Sequence, residues 1–192
     1  MKGKRKSRFA VWLIALLLVA AGVYLYAGWI GYQEAPKLIQ VNNAPGQLKE
    51  PYQLSSQQQE VLFSHGYPQG FTILFYEEER SAGEIQTVRL ETWDYYTQGV
   101  GYSIINGEKT AEDALEGEYT GSLQTLPYYP EQFGAFMSLE EVLAATGIES
   151  YVEVPLQKEF LEGGASYFAN GLTFGLKDDE LLYIEALAVS SK

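Results

Sequence analysis

The sequence predicts an α+β chain in which an N-terminal transmembrane helix is followed by two helix-plus-antiparallel-sheet repeats. Three observations carry that expectation. An uncharged run from Phe9 to Ile30 follows a cluster of cationic residues. Two short patterns recur farther along in the same order, a helix-capping box and an aromatic hairpin turned at glycine. Between them lie alternating apolar segments joined by turn residues, as expected where helices group on an antiparallel sheet.

Residues 1–8, with Lys2, Lys4, Arg5, Lys6 and Arg8, read as a basic cytoplasmic tail. Residues 9–32 read as a signal anchor. A helix over Phe9–Ile30 is about 33 Å long, enough to cross a hydrocarbon core of roughly 30 Å. Trp12 lies toward its inner end, and Tyr24, Tyr26, Trp29 and Tyr32 cluster toward its outer end, as interfacial aromatic belts do. The expected placement is a single-pass protein of the cell membrane, N-terminus cytoplasmic and C-terminal domain extracytoplasmic. Val19-Ala20-Ala21 leaves a cleaved signal peptide as the alternative.

Residues 33–53 contain Pro36, Pro45 and Pro51 and read as a stalk, in which the KLIQV piece is a candidate edge strand. The first repeat, 54–110, opens on a helix with Ser56 as cap and Gln59 three residues on. It ends at Gly66, and Pro68 prevents its continuation. Strands follow near 71–77, 85–93 and 101–106. Residues 111–136 read as an acidic connector, long enough for part of it to bind something. The second repeat, 137–192, opens with Ser138 as cap and Glu141 as its partner and reaches Gly147. Its strands are expected near 151–156, 165–169, 171–177 and 181–189. Tyr95 to Ile104 corresponds to Tyr167 to Leu176 through the shared pattern Y-[YF]-x-[QN]-G-[VL]-x-[YF]-x-[IL].

Charge narrows the partners. The chain beyond residue 32 holds all 25 acidic residues and 8 of the 13 basic ones, a formal net charge of −17. Nucleic acid is an unsuitable ligand for such a surface. With no cysteine, disulfides and a lipid-bearing cysteine are both excluded, and stability must come from an apolar core. Its material is aromatic: 12 Tyr, 8 Phe and Trp93 lie beyond residue 32.

Catalytic patterns are sparse, and no catalytic, cofactor-binding or metal-binding residues are assigned. His65, the only histidine, reads as a cation at a helix C-terminus. No nucleophile elbow accompanies it. Gly99-Val100-Gly101 begins like a dinucleotide loop, but Ile104 stands where the third glycine belongs. Glu77-Glu78-Glu79 and Asp178-Asp179-Glu180 read as solvated turns rather than cation sites. A glycosidase-like pair, Glu91 with Asp94, represents the enzymatic alternative, a carboxylate-dependent cell-wall hydrolase. The residues expected to bind a partner are Trp93, Tyr95, Tyr96, Tyr102, Tyr167, Phe168 and Phe174. Neighbours in a strand point to opposite faces, so one of Tyr95 and Tyr96, and one of Tyr167 and Phe168, belongs on an open face.

A helix ending V-L-x-x-x-G, then Tyr67-Pro68, a strand carrying Trp93-Asp94-Tyr95 and a return ending at Asn106-Gly107 resembles the SmpA/OmlA outer-membrane assembly lipoproteins. In tandem, over about 54–110 and 137–190, it resembles the β-lactamase inhibitory protein and its relatives. The chain departs from the lipoproteins in lacking their cysteine and in opening its helix with Leu54-Ser55-Ser56-Gln57. The resemblance implies an exported, non-catalytic module that binds proteins. The function expected is therefore a membrane-anchored, extracytoplasmic protein-binding or scaffold module of the cell envelope, with a protein partner there. A secreted inhibitor or binding protein released by signal-peptide cleavage is the second alternative.

Overall fold

Nine strands hydrogen-bond into a single antiparallel sheet, in the order β1-β6-β7-β8-β9-β2-β3-β4-β5. They are β1 (Leu38–Gln40), β2 (Gly70–Glu79), β3 (Ile85–Tyr95), β4 (Val100–Ile105), β5 (Glu108–Ala114), β6 (Ser150–Glu153), β7 (Ala165–Ala169), β8 (Leu172–Lys177) and β9 (Glu180–Leu187). Two helices, α1 (Ser56–His65) and α2 (Leu139–Thr146), and two 3-10 turns, Pro130–Gln132 and Glu159–Leu161, complete the architecture. The computed structural model describes residues 38–41, 51–81, 83–116, 123, 125–155 and 158–188. All belong to the compact unit Leu38–Lys192.

This corrects the expected fold. What the sequence presents as two repeats is one sheet, because β9 pairs with β2 in register from Gly70↔Leu187 to Leu74↔Tyr183. One apolar cluster serves both halves, Val61, Phe71, Trp93 and Tyr102 being continuous with Val142, Leu172, Phe174 and Ile184. The local patterns are present as hairpins, but nothing local announces which strand a hairpin will pair with at its outer edge.

The membrane placement is corrected as well. The segment 9–32 lies outside the described residues, and among those described no helix is long and apolar enough to cross a membrane. At ten residues α1 is about 15 Å long, half a bilayer core. The extracytoplasmic, single-pass localisation that rested on a membrane helix is withdrawn.

The short helices form where capping is strongest. In α2, Ser138 accepts from the Glu141 amide while the Glu141 carboxylate accepts from the Ser138 amide, and Gly147 closes the helix in the left-handed region. In α1 the cap is Ser55, with Gln58 as its partner, one residue earlier than expected. Gln58 is chosen because its side chain is wholly buried and serves the core. Asn106-Gly107 and Asn170-Gly171, both residues of each at positive φ, make the tight turns into β5 and β8.

Strand β5 runs from the end of the expected first repeat into the expected connector. Its sequence, EKTAEDA, hides it, since six of its seven residues are exposed and no apolar alternation marks a face. The later part of that connector is core: Leu126, Tyr128 and Phe133 are buried over the sheet. The KLIQV piece supplies β1, an exposed edge beside β6. Glu77, Glu78 and Glu79 extend β2 rather than forming a turn.

Candidate functional site: the open face of the sheet

Alternation divides the sheet into unlike faces. Phe71, Ile73 and Phe75 of β2 share one face with Arg89, Glu91 and Trp93 of β3 and with Ile184 and Ala186 of β9. There α1, α2 and residues 125–137 contribute to the core. Along the other face run Thr72, Leu74 and Tyr76 of β2, Leu90, Thr92 and Asp94 of β3, Ser103 and Ile105 of β4, and Tyr183, Glu185 and Leu187 of β9. Among the described residues this face is covered by the Glu159–Leu161 turn, whose Leu161 packs on Gly175 and whose Phe160 meets the buried Tyr183, and by Leu115 beside Gly101.

The covered face carries a buried ion pair. Glu91 Oε1 accepts from Arg89 Nε and from Gln58 Nε2, each at 2.7 Å. Its Oε2 accepts from Arg89 Nη2 at 3.2 Å and from the Trp93 indole at 3.0 Å. Arg89 also donates to the carbonyls of Pro130, at 2.8 Å, and Phe133, and its guanidinium lies 3.9 Å from the centre of the Tyr52 ring. Four lone-pair positions of the carboxylate are thus used, and Glu91 is 0 % exposed. This cluster stitches α1 and the segment around Pro130 to β3. It uses all the acceptor positions of Glu91, and Asp94 points to the opposite face, so the two carboxylates do not form the pair on which the hydrolase alternative rested.

On the open face two tyrosine–carboxylate pairs stand side by side. Tyr96 donates to Asp94 Oδ2 at 3.3 Å, and Tyr183 donates to Glu185 Oε2 at 2.9 Å. Each pair is two residues apart, the strand spacing that returns a side chain to the same face. Their strands, β3 and β9, flank β2 and so lie about 9.6 Å apart. Asp94 sits between Gly70 and Gly101 in the cross-strand row. A Cβ at Gly70 would come 2.8 Å from the Tyr96 hydroxyl, and one at Gly101 3.2 Å from Asp94 Oδ1. The glycines are therefore what allow the tyrosine ring and the carboxylate to lie down on the sheet.

Burial sets the electrostatics of these groups. It raises the Asp94 carboxyl above its ordinary value, partly offset by the Tyr96 hydrogen bond. The Tyr96 phenol is pushed up to about 12, chiefly by burial and then by the charge and hydrogen bond of Asp94 and the charge of Glu185. The Tyr183 phenol is raised by burial and by its bond to Glu185. Both hydroxyls therefore remain donors at neutral pH.

The seven aromatic residues expected from sequence are divided among these environments. Trp93, Tyr95 and Phe174 are buried in the core, and Tyr167 packs against it beside Tyr151 and Phe174. Tyr102 is nearly buried and pairs its hydroxyl with His65 Nε2 at 2.9 Å. Only Tyr96 and Phe168 lie on the open face, the first half-buried and the second 42 % exposed. Tyr183 and Glu185 were missed as site residues, and Asp94 was named only as the partner of Glu91 in the hydrolase alternative, although Asp-x-Tyr at the end of a strand and Tyr-x-Glu within one place both members on one face.

Elsewhere α1 and β5 border a cleft of about 370 Å³ lined by Gln57, Glu60, Val61, Ser64, His65, Tyr102 and Lys109. Both ring nitrogens of His65 are engaged, by Tyr102 and by the Gln98 carboxamide, and the ring lies against Tyr95 and Tyr102. The imidazole is thus paired with Tyr102 and Gln98 and not with Ser64, so no nucleophile–base pair is formed there. Among the described residues no group of three or more His, Asp or Glu side chains is arranged to hold a metal ion. Comparison with protein-family profiles, with curated proteins and with solved structures gave no match.

Proposed function

We propose that the domain is a non-catalytic binding module that docks a protein partner on the open face of its sheet. The observation that carries this reading is a set of exposed apolar side chains on that face. Tyr76, Ile105, Phe168 and Leu187 are on this face, and Phe160 stands at its margin, each between 38 and 43 % exposed. Sheet faces turned to water are normally polar, whereas here Phe168 adjoins Thr173 and Ile105 continues through half-buried Leu90 to Leu74. Aromatic and aliphatic anchors amid polar neighbours are what protein interfaces use. The resemblance of the hairpin and helix motifs to the SmpA/OmlA proteins implies the same class of function.

Crosslinked affinity capture with the full-length chain tests the reading. Phe168→Asp with Leu187→Asp is expected to abolish specific capture, while Phe63→Asp leaves it intact. Phe63 is the control because it is 94 % exposed on α1, which packs on the other face. Loss on changing Phe63 alone would reassign docking to the helix.

A further inference from the structure

We infer that the open face takes a basic, amphipathic segment of its partner, with lysine or arginine side chains seated against Asp94 and Glu185. This deepens the reading of that face as the docking surface and rests on it.

Charge complementarity fixes the chemistry. Asp94, Glu185 and Asp113 lie on one face within two adjoining cross-strand rows. The ammonium of Lys158 is placed over the Tyr183 ring at 5.2 Å, at the margin of the face. The chain beyond residue 32 carries eight basic residues against 25 acidic ones, so an approaching basic segment is attracted from a distance as well as at contact. The carboxylates are also prepared for a cation. Each is held by a tyrosine hydroxyl two residues away, which orients it and leaves further acceptor capacity. The Tyr96 ring, lying over Gly70, adds a π-face beside Asp94. Between the carboxylates the surface is Thr72 and Thr92, flanked by Leu74, Leu90 and Leu187, which suits the aliphatic stems of the basic side chains themselves. In an extended segment residues two apart are about 6.8 Å apart, so long basic side chains on one side reach both carboxylates.

The probe is a synthetic peptide of alternating lysine and leucine, titrated calorimetrically into the full-length chain, with a glutamate–leucine peptide as its counterpart. Only the lysine peptide is expected to bind. Asp94→Asn combined with Glu185→Gln should weaken it roughly tenfold, two ion pairs being lost. Glu140→Gln with Glu149→Gln, which removes the same charge from exposed positions in and after α2, should weaken it less than about twofold. Near-ultraviolet circular dichroism confirms that each variant keeps its packing. Equal losses in the two double variants, binding of the glutamate peptide, or binding of neither peptide overturns the inference. If capture of the natural partner fails with Phe168→Asp and Leu187→Asp but survives Asp94→Asn with Glu185→Gln, the docking face stands and the basic partner falls.

Discussion

The Arg89 guanidinium donates to the Glu91 carboxylate at 2.7 Å on the covered face of β3, and the two side chains retain 5 % and 0 % of their exposure to water. Bringing two charges into an apolar core is expensive, and what offsets the cost here is complete satisfaction: each carboxylate oxygen has two donors. Removing one member leaves the other buried and uncompensated.

Glu91→Gln is therefore expected to destabilise the domain by about 3–5 kcal/mol, and Arg89→Met by a similar amount. The double variant Arg89→Met with Glu91→Leu should be less damaging than the sum of the singles. Urea denaturation of all three reads this as a coupling energy. Independent, additive losses would show that the two residues do not act as a unit.

Asp94 gives a dependence of opposite sign to a paired surface carboxylate. Burial raises its folded-state pKa above the ordinary 3.8, so over the window just above 3.8 the folded state holds more protons than the unfolded one. Stability from this group is present at lower pH and is lost as pH rises through the folded value. Asp94→Asn should remove that loss, gaining on wild type as pH goes from about 4 to 7. Thermal melts at the two pH values measure it; an Asn variant that loses ground on wild type would refute the shift.

Tyr96 titrates late, near 12, and Tyr67 does so too because it donates to Glu131. A phenol raised above its unfolded value of 10 contributes stability that is whole below pH 10 and lost as pH rises toward 12. Phenolate absorbance should show Tyr96 missing from the first titration wave. Gly70→Ala, whose methyl group meets the Tyr96 hydroxyl, should return that phenol toward 10 while the protein stays folded.

The helix caps separate two neighbouring serines. Ser55→Ala should cost about 1 kcal/mol or somewhat more, since the Ser55 hydroxyl also donates to the Gly107 carbonyl, whereas the exposed Ser56→Ala should be nearly silent. Ser138→Ala should also cost about 1 kcal/mol. Chemical denaturation of the three variants decides between the two registers of α1.

The hairpins and the capping box of α2 were legible because their determinants are local: Asn-Gly at 170–171, and Ser138 with Glu141. The cap of α1 slipped by one residue because Ser55-Ser56 followed by Gln57-Gln58-Gln59 supports either register, and the choice is made by Glu91, distant in sequence, which takes the Gln58 amide. Strand β5 was hidden because a strand with almost every side chain in water has no hydrophobic period. The partition of the aromatics followed from alternation once strands were assigned, so Tyr95 and Tyr96 separate as their adjacency demands. Which face α1 and α2 would cover is decided by packing across the whole sheet, and that is why Trp93 and Phe174 are enclosed rather than presented.

The pairing of β2 with β9 also has a consequence for how the molecule comes into being. During synthesis β2 acquires β3 at once, through the hairpin that joins them, but its other edge stays bare until β9 has been made. Until then Gly70 to Leu74 present unpaired amides at what will become the middle of the sheet, the kind of edge that captures strands from other chains. The domain can close only by a contact between distant parts of the chain, which makes completion of the sheet a late and slow event. A chain shortened before Glu180 would keep its first hairpins and remain adhesive along β2.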